Sequence, residues 1–244
     1  MKISLNQLKL LSQCPRKHWL LNQQPVVKIN RHLEILNNVI SKAYIRSMEF
    51  EYKAEWRRIL NWLDTALFAD VNISNEEQYN QAKTESEYLL SFINRWYQNM
   101  YLPEQDIVYT KIPLLFPVNN HWEVETNIPI LKLKENVPTI LLIKEDKQPA
   151  WSWSHDLEIK GQQLLMLNAL NLDNIATECI LLGEQGGYDL TTIHSTKKEL
   201  KEVQNVLEQL TNLFANKVNY PSYSEQCFQC QFKTRCNFYV KNQG

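Results

Sequence analysis

The sequence lacks an excess of charge of either sign. Its 244 residues carry 26 Lys and Arg against 27 Asp and Glu, for a formal net charge of −1, and no long run of like charge interrupts that balance. This argues against a protein that coats nucleic acid with its whole surface, because phosphate binding needs basic residues concentrated on one face; a local basic patch is still compatible. Long apolar runs are missing too, and nothing approaches the ~18 residues of a membrane span. The first segment, MKISLNQLKLLSQCPRKHW, alternates leucines with polar residues and has no apolar stretch before a small-residue cleavage site. The expectation is a soluble, cytoplasmic protein with no membrane partner. No phosphate-binding or dinucleotide fingerprint occurs, and Gly186-Gly187 reads as a hairpin turn. His121, His155 and His194 have no serine or cysteine nucleophile in a matching context. Internal repeats and low-complexity linkers are also absent.

Periodicity organises what is there. Ser4 is a plausible N-cap for a helix carrying Leu5, Leu8, Leu10 and Leu11, and Pro15 suits the first turn of a second, with Cys14 at the junction. Leu33, Leu36, Val39, Ile40 and Ala43 follow helical spacing. Two further helices are expected over 52–68 and 76–99. After Pro103 the texture changes to β-formers, with three antiparallel strands expected over 107–118, 122–133 and 139–143. A helix over 155–170, strands over 176–182 and 188–194, and an amphipathic helix over 196–216 complete the order. This pattern predicts a mixed α/β sheet flanked by helices. The expected division is a helical region over 1–102, a core over 103–217 and a cysteine-rich tail over 218–244 packed with Cys14.

The chain has five cysteines, and three of them fall in CFQCQFKTRC as Cys227, Cys230 and Cys236. In a reducing compartment, clustered thiols point to metal rather than a disulfide framework. Three ligands within ten residues need a fourth, and Cys14 is the natural candidate. The expectation is a 4Fe–4S cluster on Cys14, Cys227, Cys230 and Cys236, with zinc as the alternative. Closing a loop of more than two hundred residues would remove on the order of 4–5 kcal/mol of unfolded-chain entropy, by the disulfide analogy. Cys179, among Ile175, Ile180 and Leu181, reads as a small buried thiol.

A lone cysteine in CPRKHW at 14–19, followed by a C-terminal Cys-x2-Cys-x5-Cys, resembles the iron–sulfur branch of the RecB-like PD-(D/E)XK nucleases. That branch includes the nuclease domains of bacterial recombination helicase–nucleases, CRISPR adaptation nucleases and a mitochondrial single-strand exonuclease. The resemblance implies a restriction-endonuclease-like core with an N-terminal helical region and a C-terminal Fe–S clamp. It also implies a separate site in which carboxylates on adjacent strands hold Mg or Mn. Carried over position by position, the helical histidine falls near Ser41 and the strand aspartate on Pro129. The D/E-x-K becomes Leu142-Ile143-Lys144, and the helix glutamine is Gln163 or Gln162, with Leu167 where a tyrosine usually follows. Lys144 and Gln163 are the remnants, and the pattern implies a degenerate active site.

An alternative keeps catalysis through relocated groups: Glu123 or Glu125, with Glu145, Asp146 and Lys144 or Lys147. Here Glu145-Asp146-Lys147 formally reads E-x-K, shifted by three residues along the strand. Arg16, Lys17, Lys233 and Arg235, beside Trp19, Phe228, Phe232 and Phe238, form a candidate nucleic-acid patch. Trp151 and Trp153 are candidates for contact with a partner. The expected role is a DNA-binding or scaffolding subunit of a DNA-processing complex. Its partners would be DNA, as single strands or ends, or a protein subunit such as a helicase or nuclease; the alternative is an active metal-dependent DNA nuclease.

Overall fold

The computed structural model describes residues 1–22, 31–50, 53–68, 76–101, 107–134, 137–144, 155–182 and 188–218, with residues 222, 227, 230, 232 and 236 of the tail. The elements run β1 (Lys2–Ser4), α1 (Leu5–Gln13), α2 (Pro15–Asn22), α3 (Arg31–Phe50), α4 (Trp56–Phe68), α5 (Glu76–Asn99), β2 (Ile107–Pro117), β3 (Glu123–Lys134), β4 (Val137–Lys144), α6 (Leu157–Leu170), β5 (Asn174–Leu182), β6 (Tyr188–Thr196) and α7 (Lys197–Ala215). The expected order is present, with one addition. Lys2–Ser4 is a strand paired in parallel with β3, so the sheet reaches into the first residues of the chain.

Local chemistry sets the helix starts. Ser4 and Gln7 form a capping box on α1, and Thr196 and Glu199 form one on α7, each satisfying two otherwise orphaned N–H groups. Asp156 caps α6 by accepting from the N–H groups of Glu158 and Ile159 at 2.8 and 3.2 Å. Asn171 ends α6 in the left-handed conformation, φ 51°, a role that asparagine takes with little strain.

Helices cover both sheet faces. On one face α1, α6 and α7 pack Leu5, Leu8, Leu11, Leu164, Leu207 and their neighbours onto Val124, Ile140, Leu142 and Cys179. On the other, α3, α4 and α5 pack Leu36, Ile40, Leu63, Phe92 and Trp96 onto Ile130, Leu141, Ile143 and Ile180. The alternation of Ile140 and Leu142 against Leu141 and Ile143 is the period-two signature of a strand buried on both sides.

Two irregularities of β3 shape the site. First, β2 flanks β3 along its length, Ile107 opposite Leu133 through Pro117 opposite Glu123. A strand has only two edges, so β1 and β4 share the other one. β1 pairs with Glu123–Glu125 and β4 pairs with Ile130–Lys134, which among the described residues leaves 126–129 without a strand beside them on that edge. Second, the β2–β3 ladder skips the Lys111–Pro129 pair. Lys111 sits at φ 53°, a sparsely populated region for a non-glycine residue, and Pro129 has no N–H to give. The sidedness of both strands reverses there. Val124 and Ile128 face α1 and α6, as do Ile112, Leu114 and Phe116, whereas Ile130 and Val108 face α3 to α5.

Candidate functional site

The gap in the β3 edge opens into a cleft of about 1030 Å³. Its wall on the α1 side carries Lys2, Ser4 and Asn6. The hairpin contributes Lys111, Glu125, Asn127 and Pro129; β4 contributes Leu142 and Lys144; α6 contributes Glu158 and Gln162; α3 contributes Leu33 and Asn37. Positions separated by up to 160 residues thus meet because β1 and β4 end on the same edge of one strand.

At one end of the cleft lies a four-charge cluster. Lys9 donates to Asp156 at 2.8 Å and to Glu158 at 3.1 Å, and Lys144 donates to the same Glu158 Oε2. Burial works against ionisation of Glu158, but the Lys144 and Lys9 ammoniums outweigh it and hold the carboxyl below its usual range. Asp156 behaves alike: its burial is overridden by Lys9, Lys144 and the α6 N-terminus. For Lys9 burial is again opposed, here by Glu158 and Asp156, and the ammonium titrates above its ordinary value. Two carboxylates and two ammoniums therefore neutralise one another at neutral pH.

Most positions that the family resemblance marks for chemistry converge on this cleft. Pro129, Leu142 and Lys144 line it. Ser41 does not: it is buried at 2% exposure inside the α3 packing, and Asn37, one turn earlier, faces the cleft instead. The two candidate glutamines lie on different sides of α6. Gln163 points away from the cleft, donating to Thr177 Oγ1 and the Ile193 carbonyl at 3.0 Å each and accepting from Ser195 Oγ at 2.6 Å. It ties α6 to β5 and β6. Gln162 is the cleft glutamine, because adjacent residues of a helix face about 100° apart.

Among the relocated candidates, Glu125 lines the cleft, while Glu123 lies at the strand start opposite Pro117 and Lys2. Glu145, Asp146 and Lys147 lie outside the described residues, as do Lys233, Arg235, Phe228, Phe238, Trp151 and Trp153. Sequence reasoning missed Lys9, Asp156 and Glu158. Nothing local announces the contact between Asp156 and Lys9, which lie 147 residues apart.

Cys14 is the C-cap of α1, and its Sγ accepts the Lys17 N–H at 3.4 Å. A backbone turn joins Cys230 N to Cys227 O at 3.3 Å, and Cys227 Sγ lies 3.7 Å from the Ser222 carbonyl. Cys14, Cys227, Cys230 and Cys236 are all half-buried and free of disulfides. As single donors they suit a metal. As a set they are not gathered: among the described residues no three Cys, His, Asp or Glu side chains group closely enough to hold an ion. Of the basic patch, Arg16 stacks over Trp19 at 4.3 Å from the ring centre, and Phe232 is buried. Cys179 is fully buried, and desolvation pushes its thiol up to about 12. Among the described residues no helix is long and apolar enough to cross a membrane.

No protein-family model matches this sequence, and no curated protein matches it. Among solved structures, the chain is similar to one named "Putative exonuclease" from Eubacterium rectale, at 11% identity and a TM-score of 0.54, covering 99% of this chain and 88% of that one. It also aligns with the protein SSO0001 at 13% identity over 98% and 86% of the two chains, with a TM-score of 0.41. At such identities the first likeness speaks for the fold alone, an α/β core with a mixed sheet between two layers of helices.

Proposed function

We propose that this chain holds nucleic acid without cutting it, as a DNA-binding or scaffolding subunit of a DNA-processing complex. The state of the cleft carries the reading. Where the family resemblance expects metal-binding acids stand Pro129 and Leu142, and the buried carboxylates nearby, Asp156 and Glu158, are already neutralised by Lys9 and Lys144. A divalent ion needs open oxygen ligands, and here it would have to displace an ammonium first. What is left at the cleft wall is a single carboxylate, Glu125, against Lys2, Lys111 and a set of amide side chains, a balance that suits a phosphate backbone better than a metal. The test is single-stranded DNA incubated with the chain and Mg or Mn. Expected are intact DNA and a retarded complex that weakens as salt rises. Metal-dependent degradation would overturn the reading.

One observation favours a second reading, an active metal-dependent nuclease with relocated carboxylates: Glu125, Glu158 and Lys144 line the same cleft. On that reading, cleavage is present and disappears in both Glu125→Ala and Glu158→Ala. The four-thiolate centre is likewise a proposal, as a clamp of 4Fe–4S type or its zinc equivalent. Its support is the spacing of the cysteines together with the packing of His18, in α2, on Phe214 near the end of α7, where the tail departs. Such a centre would contribute stability, not chemistry. Iron and sulfide analysis, with a broad absorbance at roughly 400 nm, separates iron from zinc.

A further inference from the structure

The gap between β1 and β4 is a feature that a sheet normally avoids. Among the described residues, no strand lies beside 126–129 of β3 on that edge. In an antiparallel ladder alternate residues turn their N–H and C=O away from the partner, so part of this stretch offers backbone donors and acceptors to the cleft. From Glu125 to Ile130 the gap is about 17 Å at ~3.3 Å per residue, and strand ends close it on both sides. A partner strand laid along it would be limited to a few residues, whereas a flat heterocycle can enter edge-on.

The surrounding side chains narrow the occupant. Gln162 is only 4% exposed, lines the cleft, and its Oε1 meets no donor. Asn37, on the facing helix, also lines the cleft with an Oδ1 that meets no donor. Buried acceptors left open are uncommon in native proteins, and each asks for a missing donor. Lys2 and Lys111 also line the cleft, and neither has an ion pair among the described residues. Open amide acceptors, a polar strand edge and two uncommitted ammoniums together describe a ligand with a planar hydrogen-bonding edge and an attached phosphate.

We infer that the cleft takes one unpaired nucleobase from a single strand, edge-on into the gap between β1 and β4, with an amino or ring N–H given to Gln162 Oε1 and the neighbouring phosphate held by Lys2 and Lys111. This rests on the nucleic-acid reading above and specifies what is recognised. It makes the site selective for single strands, because a base already out of a duplex costs no unpairing.

The experiment is fluorescence anisotropy of the full chain with two end-labelled strands of equal length, one bearing bases and one abasic throughout. The base-bearing strand binds at least about tenfold more tightly, the scale of one well-made hydrogen bond to a buried acceptor. Gln162→Leu lowers its affinity to the abasic level and leaves the abasic strand unchanged, with thermal unfolding of the variant as the folding control. Lys111→Ala weakens both strands alike and flattens the salt dependence. Equal binding of the two wild-type complexes overturns the base-pocket inference and leaves nucleic-acid binding standing. Retained discrimination in Gln162→Leu removes that residue as the reader and overturns the inference as stated. If neither strand binds, the nucleic-acid reading itself fails.

Discussion

Replacing Lys9 by methionine removes the ammonium that bridges Asp156 and Glu158 and keeps most of the aliphatic stem. Fully buried ion pairs cost about 3–5 kcal/mol when one partner is deleted, and exposed pairs about 0.2–1. This cluster lies between those limits, with side-chain exposures of 22% for Lys9, 7% for Asp156 and 18% for Glu158. Both carboxylates also retain help: Glu158 keeps Lys144, and Asp156 keeps two backbone N–H donors. A loss of about 2 kcal/mol follows, which for a chain of this size is a fall of about 4 °C in melting temperature.

The pH dependence tests the cause. Asp156 and Glu158 are held below their ordinary values of 3.8 and 4.5. Their contribution is therefore complete above those values and disappears as pH falls through the lower folded ones. Lys9 titrates above its ordinary 10.5, so its share is complete below that pH and fades only in stronger alkali. Urea unfolding of wild type and Lys9→Met should differ by about 2 kcal/mol at pH 7 and converge as acid carries the pH down through the lowered folded values of the two carboxylates. A gap that persists unchanged in acid would mean that Lys9 acts through packing of its stem, and no gap at pH 7 would mean the cluster is inert. Either result would refute the charge-neutralisation argument on which the non-cutting reading depends.

Other expectations are simpler. Gly161 packs against α1, where an added Cβ would lie 2.6 Å from Leu5 Cδ1 and 2.8 Å from Cδ2. Leu5 is buried, so Gly161→Ala should destabilise by about 1–2 kcal/mol in urea despite its better helix propensity, and Leu5→Val should relieve part of the penalty. Cys179 should resist iodoacetamide at pH 8 in the native protein, since its thiol stays protonated there, while metal-free Cys14 and the tail thiols react; mass spectrometry of the labelled peptides decides. Gln163→Leu strands Thr177, Ser195 and the Ile193 carbonyl and should cost about 2–4 kcal/mol, whereas Gln162→Leu should leave the melting temperature nearly unchanged.

Much of the fold was legible because its signals are local. The helical spacing of Leu33, Leu36, Val39 and Ile40, the β-formers after 107 and the Ser4 cap all report on contacts within one element, and the elements formed where those signals stand. β1 was not legible. Three residues give no periodicity, and Lys2–Ser4 is a strand only because β3 offers it an edge. The reversal at Lys111 and Pro129 escaped for a related reason: simple alternation assigns one face to a whole strand, and a single skipped pair reverses it.

The site was legible by position more than by chemistry. The resemblance brought Pro129, Leu142 and Lys144 to one place, and the cleft lies there. It could not choose between Gln162 and Gln163, because both are buried on α6, and the choice depends on which way that helix is turned against β5 and β6. It also could not supply Lys9. A lysine among leucines on an amphipathic helix reads as a solvated charge, and only the docking of α1 on α6 makes it the counter-ion of Asp156 and Glu158. That docking ties the question of catalysis to packing. Gly161 lets Leu5 approach α6, the approach places Lys9 between two carboxylates, and on the proposed non-cutting reading their neutralisation withholds two of the oxygen ligands a metal would use. A residue without a side chain, far from any motif, thus bears on whether this cleft can cut.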